Sequence, residues 1–277
     1  MTDATAHLRP RPAKLTPDIG IPQHPLTHRL KSWSIWALIF GLLVWSWSPA
    51  EMFRATSLVT DWRNMAEFGH AFLSPNFHNW DQYVSDMVVT IQIAIWGTAL
   101  AVVFGIPFSI LCSSNVCPAW IVQPVRRLMD TCRAINEIVF ALLFVVAVGL
   151  GPFAGVMALF VHNLGVFAKL FSEAVEAVDP RPVEGIRVTG AVRVQEVVFG
   201  VIPQVMPLWS SFTLYRLETN VRSATTLGIV GAGGIGQTLY ESIRSFQYAE
   251  TAAQIIIMVV TVIVLDMVSA RIRKTLV

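Results

Sequence analysis

Long apolar runs constrain this chain more than any other feature. Six stand out, over residues 33–47, 87–111, 134–148, 153–171, 201–217 and 252–268. A helix needs about 20 such residues to cross a hydrocarbon layer of ~30 Å. That layer offers backbone groups no water, so a spanning segment must satisfy its own N–H and C=O groups, as a helix does. The runs predict an all-α integral membrane protein with about six transmembrane helices. The third and fifth are short by this measure and are expected to continue into the polar residues beside them. Composition excludes a soluble alternative. Hydrophobic residues make up 54% of the chain and charged residues only 14%, against the ~25% charged that covers a soluble domain.

The placement of charge predicts the orientation. Cytoplasmic loops of membrane proteins carry an excess of Lys and Arg. Six spans put both termini on one side. That side takes Arg9, Arg11, Lys14, Arg29 and Lys31, then Arg126, Arg127 and Arg133, then Lys169, Arg181, Arg187 and Arg193, and last Arg271, Arg273 and Lys274. The other side takes Arg54, Arg63 and Arg244, while Arg216 and Arg222 fall in or beside the fifth run. Both termini are therefore expected in the cytoplasm. Residues 1–32 hold Pro10, Pro12, Pro17, Pro22 and Pro25 and read as an irregular basic cytoplasmic tail rather than a signal peptide. Residues 33–85 supply the first helix and an aromatic outer segment, 86–270 the main transmembrane domain, and 271–277 a basic cytoplasmic end. Cys112, Cys117 and Cys132 form no C-x-x-C pair and read as reduced thiols near one membrane face.

Several features inside the runs have both a functional and a packing reading. Gly97, Ala101 and Gly105 repeat every four residues and let helices approach closely, between copies or within one chain. Glu137, His162, Lys169, Arg216, Glu218, Arg222 and Asp266 are ionisable groups at or near membrane depth, where a charge costs roughly 2.5–3.5 kcal/mol on insertion scales. Arg133 and Glu137 are four apart and could pair on one helix face, as could Glu218 and Arg222. The stretch around Arg216, Glu218, Asn220 and Arg222 either neutralises itself or lines a path for an anion. Residues 231–236 contain GxGxxG, but a dinucleotide site requires a strand before it. Gly231, Gly233 and Gly234 read instead as an outer turn or gate, or as close packing.

The stretch 172–203 is long for a connection between spans. It carries Glu184-Gly185-Ile186, Gly190 and Ile202-Pro203. This resembles the cytoplasmic signature of ABC importer permeases: an EAA triplet, a glycine after three further residues, and I-x-L-P roughly nine beyond. Gly185 and Ile186 replace the alanines, Gly200 the isoleucine and Ile202 the leucine. On a wider view, QPVRRLMDTCRAINEIVFALLFVVAVGLGPFAG, KLFSEAVEAVDPRPVEGIRVTGA and ETNVRSATTLGIVGAGGIGQTL look like the permease subunit of bacterial phosphonate importers, a likeness that runs over 33–277.

The resemblance implies a type I importer permease fold and the import of phosphonates or related organophosphorus anions. It implies a second copy of this chain, two cytoplasmic ATPase subunits and an extracytoplasmic phosphonate-binding protein as partners. No nucleic acid is expected. The chain itself would bind no cofactor and catalyse nothing, ATP and Mg being used by its partners. Glu184, Gly185, Arg187, Gly190, Arg193 and Pro203 would couple to the ATPases through a short cytoplasmic helix. Arg216, Glu218, Asn220, Arg222, Gly231, Gly233 and Gly234 would form the path or its gate. No Walker, HExxH or GxSxG motif occurs in the sequence. A proton-coupled secondary transporter working through Glu137, His162 or Asp266 is the alternative.

Overall fold

The computed structural model describes residues 26–276; the first 25 residues of the expected tail lie outside the described residues. Two compact units divide at Met65 and Ala66. The first holds α1 (Leu26–Trp47), a 3-10 turn (Met52–Thr56) and α2 (Ser57–Thr60). α1 therefore begins inside the segment expected to be irregular. Every side chain from Trp33 to Trp47 is exposed, which suits a helix whose whole circumference meets lipid or another apolar surface. The unit boundary falls within α3 (Trp62–Phe72).

The second unit is a helical bundle around α4 (Trp80–Cys112) and α7 (Pro152–Glu176). The glycine stripe of α4 is used inside this unit. A Cβ on Gly97 would sit 2.7 Å from Leu159 Cβ, and one on Gly105 would sit 3.1 Å from Phe167 Cβ. Lipid supplies no hydrophobic force between helices, so close backbone approach is what these small residues contribute. Further inward, Phe171 stacks on Trp209 at 4.8 Å between ring centroids, joining α7 to α10 (Ile202–Gly228).

The third run departs from expectation. It does not extend into its flanks as one helix. An amphipathic α5 (Ala119–Ala134) is followed by a 12-residue α6 (Glu137–Val148), bent from it by 87°. Asn136 caps the new helix, accepting from Ile138 N at 2.9 Å, and this favours a start over a continuation. Gly165 of α7 lets α5 lie close, because a Cβ there would be 2.7 Å from Arg133 N. Among the described residues, four helices are long and apolar enough to cross a membrane, and up to six spans are reached if each bent pair counts as one. The chain closes with α8 (Pro180–Val188), α9 (Arg193–Gln195), a π-helical turn (Glu196–Val201), α10, α11 (Ile235–Arg244) and α12 (Tyr248–Leu276).

Candidate functional site

Two regions collect the polar residues that a bundle in lipid has to account for. The first is the turn between α7 and α10. Asp179 caps α8 by accepting from Arg181 N at 3.0 Å, and prolines occupy its first turn, where a missing N–H costs nothing. Gly190 then turns the chain at φ +85°, with open space around it. Arg187 donates Nε and Nη2 to the two carboxylate oxygens of Glu196, at 2.9 and 3.0 Å. This fork-to-fork pair ties α8 to the π turn, and the Glu196 carboxylate raises the Arg187 pKa above its ordinary value. Arg187, expected to couple to a partner, is thus engaged within the chain. Glu184, Gly185 and Arg193 remain exposed, beside exposed Val188, Val192, Val194 and Phe199. Behind them lies a cleft bordered by Glu176, Val183, Glu184, Arg187, Arg193 and Glu196. Gly200 permits the closest approach, a Cβ there lying 3.2 Å from Val183 Cα. Pro203 sits in the first turn of α10, as the sequence predicts.

At its base this turn is fixed by a clamp that sequence spacing did not reveal. Glu176 accepts from Ser114 N and Oγ at 2.7 and 2.6 Å and from Arg126 Nη2. Arg126 Nε also donates to Cys112 O at 2.7 Å. The ends of α4 and α7 and the middle of α5 are thereby joined around one carboxylate.

The second region is a polar layer through the bundle. The adjoining ends of α6, α7 and α10 lie together, since Gly151 N donates to Gly231 O at 3.0 Å. Counting from that end at 1.5 Å per residue, Glu137, His162 and Glu218 each lie ~15–17 Å along their helices. They share one level of the bundle. α10 is its hub. Arg216 donates Nε and Nη2 to Asn163 Oδ1 at 3.2 and 2.8 Å. Buried Asn220 donates Nδ2 to Thr98 Oγ1 at 2.8 Å. Ser223 donates Oγ to Glu137 at 2.8 Å. Residues 216, 220 and 223 share one helical face, and they reach α7, α4 and α6 respectively. Each bond removes an unsatisfied polar group from a medium that cannot hydrate it.

The expected Arg133–Glu137 pair does not form, because the chain bends between them. Arg133 pairs with Asp130 at 2.8 Å, and Glu137 turns to Ser223 and to His162 Nε2 at 3.5 Å. His162 Nδ1 also meets Ile135 O at 2.9 Å, closing the break. Glu218 and Arg222 do pair, at 3.7 Å, and Arg273 of α12 reaches the other Glu218 oxygen at 3.9 Å.

The glycine turn after α10 is closely packed. Gly231, Gly233 and Gly234 all have positive φ, which glycine adopts without penalty. A Cβ on Gly233 would press on Pro152 at 3.0 Å, and those on Gly231 and Gly234 would overlap Leu150 and Thr90 Oγ1. Thr90 Oγ1 in turn accepts from Ile235 N at 2.9 Å. The turn joins the adjoining ends of α7 and α10 to Thr90 within α4 and starts α11 from their junction.

Residues 105–277 match the family described as "Binding-protein-dependent transport system inner membrane component". The chain is 35% identical over 239 residues to the "Phosphite transport system permease protein PtxC" of Stutzerimonas stutzeri, covering 86% of this chain and 87% of that one. It is 53% identical over 150 residues to the "Putative cryptic phosphonate transport system permease protein PhnE1" of Escherichia coli, covering 54% of this chain and 70% of that one. A solved structure of the MetNI methionine ABC transporter, in an inward-facing conformation, shares the fold. Its TM-score is 0.63 at 21% identity, with 70% of this chain and 95% of that one covered.

Proposed function

Since the chain belongs to the family of binding-protein-dependent transport system inner membrane components, and so is the permease of an ABC importer, we propose that its cargo is a phosphonate or phosphite anion and that two copies enclose the path. The substrate reading rests on the two named relatives. Ready-made support for coupling comes from one observation, the Arg187–Glu196 fork that makes α8, the turn at Gly190 and the π turn a single stiff unit leading into α10. ATPase subunits gripping the exposed face of α8 would move α10 through that unit as a rigid body. ATP and Mg belong to those partners. Both termini face the cytoplasm on this reading, and α11 with the outer ends of α4 and α12 faces the binding protein.

Binding-protein dependence is tested by ATP hydrolysis in the reconstituted complex of this chain, its ATPase and its binding protein. Hydrolysis is expected to rise when the binding protein carries an alkylphosphonate or phosphite and to stay low when it is empty. Equal hydrolysis in all states would remove the importer reading. A rise with any loaded anion would keep the importer and discard the narrow cargo.

Gly190 gives a sharper local test. Its positive φ costs an L-residue ~1–2 kcal/mol, while nothing lies within 4 Å to clash. Gly190→Val is expected to leave the bundle folded and to reduce co-purification with the ATPase by about tenfold, the factor carried by ~1.4 kcal/mol. Unchanged co-purification and unchanged transport would separate this turn from coupling.

A further inference from the structure

Resting on the importer reading above, we infer that Arg222 is the cation that meets the anionic cargo in the path, while Arg216 is a fixed structural cation. Their environments differ in kind. Arg216 is half-buried, with Asn163 Oδ1 accepting from two of its nitrogens. Releasing it would strand a buried amide and a buried charge together. Arg222 has a side chain 64% exposed and only a loose contact to Glu218, at 3.7 Å. Glu218 has its other oxygen near Arg273, so it keeps a counter-charge if Arg222 swings away.

The face that carries Arg222 indicates what it meets. Tyr215, Thr219, Arg222 and Thr226 fall at spacings of four, three and four residues, one stripe of α10. Tyr215, Arg222 and Thr226 are exposed. α12 exposes mostly apolar side chains, among them Val259, Val260, Ile263, Val264 and Met267, together with Asp266. Thr219 and Thr226 donate their hydroxyls back to Tyr215 O and Ser223 O, so the guanidinium and the phenol are the groups of the α10 stripe that have to face water or protein at membrane depth. An arginine offers a planar fork of donors matched to the oxygens of phosphonate or phosphite. The cargo anion would replace Glu218 as the partner of Arg222 during passage.

The test restores charge chemically. Cys112, Cys117 and Cys132 are replaced by Ser, and Arg222→Cys is added to that chain in the full reconstituted complex. Uptake of an alkylphosphonate is expected to fall by about tenfold or more, the scale on which losing a close charge contact is felt. Treatment with aminoethyl methanethiosulfonate, which adds a cation, should restore most of the uptake. Sulfonatoethyl methanethiosulfonate, which adds an anion, should not. Uptake equal to the cysteine-free parent, or no response to either reagent, overturns the inference.

Asp266 is also exposed, on α12. A loss reproduced by Asp266→Asn and relieved by exchanging the charges of residues 222 and 266 would reassign Arg222 to a contact between copies, and so overturn the inference as well. A wild-type complex that takes up no phosphonate or phosphite would instead remove the importer reading itself, before Arg222 is tested.

Discussion

Gly236→Val is expected to dismantle the end of the bundle where α10 and α11 cross. α10 and α11 cross backbone to backbone at Gly228 and Gly236. A Cβ on Gly228 would lie 2.6 Å from Gly236 Cα, and a Cβ on Gly236 would overlap the Thr225 carbonyl oxygen. A flexible neighbour could move aside, but a helical carbonyl cannot without shifting α10 as a whole. Overpacking in a well-filled core costs typically 1–3 kcal/mol, and contact with backbone places this site at about 3 kcal/mol or above. For a unit of this size that corresponds to an apparent melting temperature lower by about 10 °C, read on the purified protein in detergent. Gly41→Ala is the control, because nothing lies within 4 Å of that position. Equal melting of the Gly236 and Gly41 variants would show that the crossing can open at no cost.

The second large effect concerns the turn between α7 and α10. Arg187→Glu would place two carboxylates where a forked ion pair now holds α8 to the π turn. The core cluster around Phe167, Phe171 and Trp209 takes in Val201 of the π turn and Val183 of α8, and the change leaves these apolar contacts in place, so insertion and folding should survive. Loaded binding protein should stimulate ATP hydrolysis about tenfold less in the reconstituted variant, within the range for residues of one hydrogen-bonded pair. The exchanged pair, Arg187→Glu with Glu196→Arg, should recover a large part of the loss. If the exchanged chain were as poor as the single variant, the side chain of Arg187 itself would be what the ATPase recognises. The internal tie would then be incidental.

Both effects depend on features that sequence reading reached unevenly. The turn between α7 and α10 was legible from the spacing of Glu184, Gly190 and Pro203, because a connection of that length with a turn glycine and a helix-starting proline is a local pattern. That Arg187 would be consumed by Glu196 was not legible. The sequence reading gives Arg187 to a partner, and only the fold-back at Gly190 brings it to Glu196. Arg133 and Glu137 failed for a related reason. Their four-residue spacing pairs them only on an unbroken helix, and the cap at Asn136 starts a new one.

Membership of the bilayer was decided by the chain alone. Transfer of a run into hydrocarbon depends on the sum of its own side chains, and each spanning helix satisfies its own backbone. The six apolar runs, the bias of Lys and Arg and the close-packing glycines of α4 all express quantities of that local kind. The partners of the polar residues at membrane depth were decided by tertiary structure. Arg216 met Asn163, Asn220 met Thr98, and Glu137 met Ser223, each across more than fifty residues of chain. Such pairs depend on how each helix is rotated and where it starts and stops, and these follow from packing against neighbours. The same rotation left Arg222 on the open face of α10 and turned Arg216 inward.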